Sequence, residues 1–143
     1  MQRSPYAYFF PLRVRYAEVD LQGVVFNAHY LTYFDTAITE FMRAAGYDYK
    51  ALFTSRGLDF HLVKATVEYL KPIGFDQEIE VGVAVDRVGN SSITFALSIF
   101  PKDQAICLAR GEIIWVCAKI GTHKSHPLPD DFVAMVSPKE KSA

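Results

Sequence analysis

The stretch that decides the fold is residues 28–45, AHYLTYFDTAITEFMRAA, because it carries the strongest helix pattern in the chain. Its apolar residues recur at three- and four-residue steps and therefore share one helix face: Leu31, Phe34, Ile38, Phe41 and Ala45. Asn27 is suited to cap the first turn, and Gly46 suits a left-handed residue just past the end. The spacing predicts one long amphipathic helix.

On both sides of this helix the apolar pattern changes to period two, which is typical of half-buried strands. One strand is predicted at residues 12–17 before the helix, and three follow at residues 63–69, 79–85 and 93–99. A further stretch, residues 105–118, is apolar on both faces. That pattern is typical of a central strand or of a strand covered by another subunit.

Short segments rich in turn residues connect the later strands, at residues 72–76, 86–90 and 101–104. Such short links predict antiparallel hairpins between successive strands. The order is then a strand, a long helix and four antiparallel strands. This order predicts an α+β fold in which one helix covers a five-stranded sheet, and the uncovered surface favours a homodimer.

Length, charge and cysteine content exclude several classes of function. The 143 residues predict a single domain over residues 1–143, with a polar tail at residues 138–143. Fifteen Lys and Arg against sixteen Asp and Glu argue against a nucleic-acid binder. No window approaches roughly eighteen apolar residues, so no transmembrane segment is expected. Cys107 and Cys117 have no zinc-type spacing, so no metal site is expected. Two cysteines cannot make a disulfide framework, which predicts a reducing, cytoplasmic compartment.

The loop between the first strand and the helix carries the candidate chemistry. Asp20 lies seven residues before Asn27, where the helix begins. The free amides and the macrodipole of a helix N-terminus stabilise developing negative charge. Gly23, between the two, permits a positive φ or a close backbone approach. A carboxylate near such an amide is what hydrolysis of an activated acyl group requires.

The same residues also have a simpler structural interpretation. Asp20 and Gly23 are the favoured first and fourth residues of a type I turn, and on their own they favour a turn over a catalytic site. Asn27 can be a cap and nothing more. Glu18 either forms a carboxylate pair with Asp20 or is a solvated or ion-paired strand end, and the second interpretation is favoured.

Two motifs resemble the 4-hydroxybenzoyl-CoA thioesterase-like branch of the hotdog-fold superfamily. Residues 16–31, YAEVDLQGVVFNAHYL, resemble its run of an aromatic residue, an acidic residue, an Asp, Gly-Val-Val-aromatic and Tyr-Leu. Residues 69–76, YLKPIGFD, resemble its turn between strands. The resemblance covers about residues 10–130, the core of the expected domain. It implies a hotdog fold, a five-stranded antiparallel sheet wrapped around one long central helix and paired into a dimer.

The resemblance also implies an acyl-CoA thioesterase and assigns roles. Asp20 matches the catalytic carboxylate, a nucleophile or general base, and Asn27 matches the oxyanion donor through its backbone amide. Many members have His or Tyr at the position of Asn27, but an amide is present in any residue there. These motifs favour the catalytic interpretation of Asp20 over the turn. The candidate substrate-binding residues are Gly23, Val24 and Tyr30 near the thioester, and Arg87, Asn90 and Ser91 in a polar hairpin that can hold phosphates.

The expected substrate is a small or medium acyl-CoA, aromatic or aliphatic, and the expected assembly is a dimer or a dimer of dimers. No cofactor is expected, since coenzyme A is part of the substrate. One alternative is an acyl-carrier-protein thioesterase with the same site. A second is a non-catalytic hotdog module that binds acyl-CoA, against which the presence of Asp20 argues.

Overall fold

The computed structural model describes residues 6–137, which form one five-stranded antiparallel sheet and three helices. The strands are β1 (Tyr8–Arg13), β2 (Leu58–Tyr69), β3 (Glu78–Val88), β4 (Ser92–Pro101) and β5 (Ala109–Lys119). The helices are α1 (His29–Ala44), α2 (Tyr49–Thr54) and α3 (Asp130–Val136), and a 3-10 turn spans Tyr16–Glu18. The predicted polar tail, residues 138–143, lies outside the described residues.

The long helix is confirmed, since α1 has 16 residues and lies within the predicted range. It contacts β1, β2 and β3 with its apolar face. Three of the five residues predicted for that face are buried, namely Phe34, Ile38 and Phe41, whereas Leu31 is half-buried and Ala45 is exposed. The buried residues of that face are Tyr30, Tyr33, Phe34, Ala37, Ile38, Phe41 and Met42. Among residues 6–137, no helix is long and apolar enough to cross a membrane.

The two ends of α1 differ in how well the sequence predicts them. The N-cap residue is Ala28, without a side-chain cap, so the predicted capping role of Asn27 is wrong. The helix begins one residue later than a cap at Asn27 requires, because a preceding turn lets the His29 N–H donate to the Phe26 carbonyl at 2.9 Å. At the other end, Gly46 has a φ of +76° and the predicted left-handed conformation is confirmed.

The strand order across the sheet is β1-β3-β4-β5-β2. The hairpins β3–β4 and β4–β5 are confirmed, and β5 is an interior strand as its two-sided apolar pattern indicates. The predicted hairpin at residues 72–76 is wrong, because β2 pairs with β5 at one edge while β3 pairs with β1 at the other. This link instead crosses the end of the sheet and hydrogen-bonds to the loop that precedes α1: Val25 donates to Ile73 at 2.8 Å and Phe75 donates to Gly23 at 2.9 Å.

Three strands begin several residues away from their predicted starts. β1 begins at Tyr8 and ends at Arg13, because the N-terminal aromatic residues pair with β3. β2 begins at Leu58, five residues before the predicted start. β5 begins only at Ala109, since the preceding residues form a link in which the Leu108 carbonyl accepts from the amides of two residues after β2. The short helices α2 and α3 were not predicted.

Gly111 on β5 fixes how closely α1 approaches the sheet. A Cβ at this position would lie 2.7 Å from the Phe34 ring and 2.0 Å from the Thr66 carbonyl oxygen. Only a glycine therefore fits between the Phe34 ring of α1 and the main chain of β2 at this point. This contact helps to fix the position of α1, whose N-terminus lies next to the candidate site.

Candidate active site

The loop of Asp20 is a small hairpin that ends where α1 begins. The Asp20 N–H donates to the Val24 carbonyl at 2.9 Å, and the Gly23 N–H donates to the Asp20 carbonyl at 3.0 Å. Gly23 has a φ of +76°, a conformation that favours glycine. The turn interpretation of Asp20 and Gly23 is therefore confirmed.

Asp20 nevertheless faces a cleft. Its side chain is exposed, and its Oδ1 accepts one hydrogen bond, from the Gln22 N–H at 2.8 Å. The carboxylate lines an open cleft of about 620 Å³ whose other lining residues are Tyr16, Val19, Leu21, Gly23 and Phe75. The turn and the site are thus compatible, because the turn directs the carboxylate towards a largely apolar cavity.

The backbone amide of Asn27 lies at the N-terminus of α1. Within residues 6–137 the Asn27 N–H donates to no backbone or side-chain oxygen, and the residue is exposed. Its carbonyl oxygen accepts from the Tyr69 hydroxyl at 3.1 Å. The amide is therefore available to a ligand and is held in place through its own carbonyl group.

Tyr30 lies buried in the first turn of α1. It is 3% exposed and packs edge-on against Tyr69, with ring centroids 4.7 Å apart. Burial raises the pKa of Tyr30, and the nearby Tyr69 and Asp20 raise it further. The structure therefore brings together five predicted site residues at one end of the sheet: Asp20, Gly23, Val24, Asn27 and Tyr30.

Glu18 is buried and ion-paired behind the cleft. It is 5% exposed and accepts from the backbone and side chain of Arg15 and from the Tyr33 hydroxyl at 2.9 Å. The ion-paired interpretation is confirmed, whereas a solvated position and a carboxylate pair with Asp20 are both wrong. Burial raises the pKa of Glu18, but the hydrogen bonds from Arg15 and Tyr33 and the positive charge of Arg15 outweigh it, so the pKa is lowered overall.

The predicted phosphate-binding residues Arg87, Asn90 and Ser91 lie elsewhere in the chain. The Ser91 carbonyl accepts from Cys117 at 2.7 Å and the Asn90 carbonyl accepts from Leu128 at 2.8 Å. These contacts place the hairpin at the far end of β3, whose eleven residues extend roughly 35 Å from the cleft. A single chain therefore does not bring these three residues to Asp20.

Residues 14–136 match the sequence model of the thioesterase-like superfamily. The chain belongs to this superfamily. The family match covers both motifs and the whole sheet except β1. It confirms the resemblance and the expectation of an enzyme that hydrolyses thioesters.

Relatives and solved structures agree with this membership. The chain is 34% identical to a putative esterase of Aquifex aeolicus over 68% of the chain and 75% of that protein. It is 31% identical to the acyl-CoA thioester hydrolase YbgC of Escherichia coli over 87% of the chain and 91% of that protein. The crystal structure of a 1,4-dihydroxy-2-naphthoyl-CoA thioesterase from Synechocystis superposes with a TM-score of 0.85 at 19% identity, covering 90% of this chain and 94% of that one. The α+β hotdog fold is confirmed, and these relatives support acyl-CoA thioesterase activity.

Two cleft residues and one supporting residue were not assigned roles from the sequence. Tyr16 and Phe75 pack edge-on, with ring centroids 6.0 Å apart, and form the aromatic part of the cleft. Tyr16 lies in the first family motif and Phe75 in the second, and their place in these motifs is the sequence signal that points to the site. Tyr33 carried no such signal, because its position on the buried helix face indicates packing and does not reveal a hydroxyl partner.

Proposed function

We propose that the protein hydrolyses acyl-CoA thioesters with the Asp20 carboxylate and the Asn27 backbone amide. The observation that carries this proposal is that an exposed carboxylate lines an apolar cleft, and that its hairpin leads directly to a helix-terminal amide with no acceptor among residues 6–137. One group activates water or attacks directly, and the other receives the negative charge that develops on the carbonyl oxygen. The activity of the YbgC relative supports the same reaction.

In the proposed reaction the thioester carbonyl oxygen accepts a hydrogen bond from the Asn27 amide. Asp20 either takes a proton from water as the water attacks the carbonyl carbon, or attacks that carbon itself and forms an anhydride that water then hydrolyses. The C–S bond breaks in both routes, and coenzyme A leaves as a thiolate that acquires a proton. A carboxylate, an amide and water complete the chemistry, so we propose no cofactor beyond the coenzyme A of the substrate.

The cleft suits an apolar acyl group. Tyr16 and Phe75 supply an aromatic wall, and Leu21 projects fully exposed at the tip of the turn. Aromatic rings pack edge-on or offset against such walls. We propose aromatic and short or medium aliphatic acyl groups as substrates, and the 1,4-dihydroxy-2-naphthoyl-CoA thioesterase structure with the same fold supports the aromatic class.

A panel of acyl-CoAs with detection of the released thiol tests this function. We expect hydrolysis of at least one aromatic or medium-chain acyl-CoA, with a rate that saturates with substrate. The same acyl groups on a carrier protein should turn over more slowly. Faster turnover on the carrier protein would show the alternative thioesterase class. Binding of acyl-CoA without release of thiol would show a non-catalytic module and contradict the proposal.

We also propose that a second copy of the chain completes the site. β2 is an edge strand, and its Leu62 and Val63 are 54% and 58% exposed. A long apolar edge strand is a template for pairing with another chain. Antiparallel pairing of two copies along β2 places the Leu58 end of one next to the Tyr69 end of the other.

This pairing gives the polar hairpin a role. In each chain Asn90 and Ser91 lie at the start of β4, the third strand counted from the β2 edge, at the Leu58 end of the sheet. In the dimer they come to the Asp20 end of the other copy, roughly 14 Å from its Tyr69. The pantetheine arm of coenzyme A separates the thioester from the phosphates and can span such a gap. The proposed phosphate-binding residues thus serve the cleft of the neighbouring copy.

A further inference from the structure

We infer that Glu18 is a positioning residue for the reaction, because it ties the loop of Asp20 to the helix that presents the Asn27 amide. The inference rests on the function proposed above. Glu18 touches neither the cleft nor the substrate, since it is absent from the cleft lining and its carboxylate is engaged by protein donors. Its effect on the reaction is exerted through Asp20 and Asn27.

The side chain of Glu18 holds the loop against α1. Its Oε1 accepts from the Arg15 N–H at 2.9 Å and from the Tyr33 hydroxyl at 2.9 Å, and its Oε2 accepts from the Arg15 guanidinium. Tyr33 is 1% exposed and lies in the second turn of α1. One carboxylate therefore links the end of the 3-10 turn to the interior of the helix.

The main chain of Glu18 holds the other end of the loop. Its carbonyl oxygen accepts from the Phe26 N–H at 2.9 Å, one residue before Asn27. Asp20 follows two residues after Glu18. The residue between them, Val19, forms an antiparallel bridge with Val25. Glu18 thus contacts both strands of the hairpin, one that leads to the carboxylate and one that leads to the amide.

The chemistry of the network favours positioning over simple packing. Burying a carboxylate requires matched donors, and an apolar side chain of similar size fills such a space at least as well. Hydrogen bonds, in contrast, fix direction as well as distance. A small displacement of a reacting group can lower a rate by up to about 100-fold, so the direction of this loop matters more for the reaction than for the fold.

Removing one hydroxyl tests the inference. We expect Tyr33→Phe to lower kcat about tenfold while KM changes less than about twofold, because the loop loses a directional contact but the cleft keeps its lining. Glu18→Gln keeps the side-chain shape but brings an NH2 group near the Arg15 donors, and we expect a loss of kcat at least as large. Circular dichroism and the thermal midpoint establish that both variants are folded.

Tyr49→Phe is the matched control. The Tyr49 hydroxyl donates to the Asp59 carboxylate at 2.8 Å, a bond of the same kind between α2 and β2. This variant should lower the thermal midpoint to a similar extent as Tyr33→Phe and leave kcat within about twofold of the wild type. An equal loss of kcat in Tyr49→Phe would show general destabilisation and overturn the inference.

A double variant separates this inference from the proposed function. If Tyr33 acts through the loop of Asp20, adding Tyr33→Phe to Asp20→Asn should lower the residual rate by a smaller factor than Tyr33→Phe lowers the rate of the wild type. Full loss in Asp20→Asn combined with wild-type kcat in Tyr33→Phe and Glu18→Gln would overturn the positioning role alone. Wild-type kcat in Asp20→Asn would overturn the proposed function itself.

Discussion

Asp20→Asn is expected to fold like the wild type and to lose at least about 100-fold in kcat on acyl-CoA substrates. The fold should survive because the Asn side-chain oxygen can still accept from the Gln22 N–H, which is the only hydrogen bond to the Asp20 side chain within residues 6–137. The rate should fall because an amide neither takes a proton from water nor attacks a carbonyl. Steady-state release of thiol measures the loss of kcat, and the thermal midpoint shows whether the fold is kept.

Asp76→Asn is the control for this variant. Asp76 lies next to the cleft residue Phe75, but its exposed carboxylate pairs with Arg13 and does not line the cleft. Its φ of +68° is left-handed, a conformation that Asn tolerates. We expect its kcat to stay within about twofold of the wild type. Equal losses of kcat in Asp76→Asn and Asp20→Asn would mean that the loss reflects a disturbed cleft and is not specific to the Asp20 carboxylate.

Val63→Asp is expected to convert the proposed dimer into a monomer and to lower kcat/KM on acyl-CoA at least about tenfold. The register of β2 shifts between Leu62 and Lys64, so Val63 lies at the irregular point of the exposed edge. An added carboxylate on each copy places like charges across the edge, which opposes pairing. The monomer then lacks the hairpin of the second copy at its cleft. Sedimentation shows the change in mass from twice 16.1 kDa to 16.1 kDa.

Ile106→Asp is the matched control for the edge variant. Ile106 is also an exposed apolar side chain, but it lies in the link before β5 and outside the edge strand. This variant should remain dimeric and active. A dimeric Val63→Asp with full activity would contradict the proposed edge pairing, and a fully active monomer would contradict the contribution of the second copy to the site.

The sequence predicts the regular elements well because each carries a period of its own. α1 has a clear helical face, and β3 and β4 alternate between apolar and polar residues. The order of strands is harder to predict, because a short link between β2 and β3 suggests a hairpin. The link at residues 72–76 instead forms hydrogen bonds with the loop before α1. That loop is distant in sequence, so no local pattern reveals the contact.

The site shows the same division between local and distant information. The loop of Asp20 and the start of α1 are consecutive in sequence, so their proximity follows from the motif. The capping role of Asn27 was wrong by one residue, which local sequence does not resolve. The Glu18–Tyr33 hydrogen bond joins residues fifteen positions apart, and local sequence does not reveal such a tertiary contact. The role proposed for the polar hairpin depends on the proposed dimer, which local sequence does not reveal either.

The central claim is spatial: Asp20 and the Asn27 amide act on the same carbonyl group. A crystal structure with a ketone analogue of acyl-CoA, in which a methylene replaces the sulfur, tests it most directly. We expect the ketone oxygen about 2.7–3.1 Å from the Asn27 nitrogen, and an Asp20 carboxylate oxygen about 3–3.5 Å from the carbonyl carbon or from a water on it. A ketone bound away from the Asn27 amide, with Asp20 directed into solvent, would contradict the account.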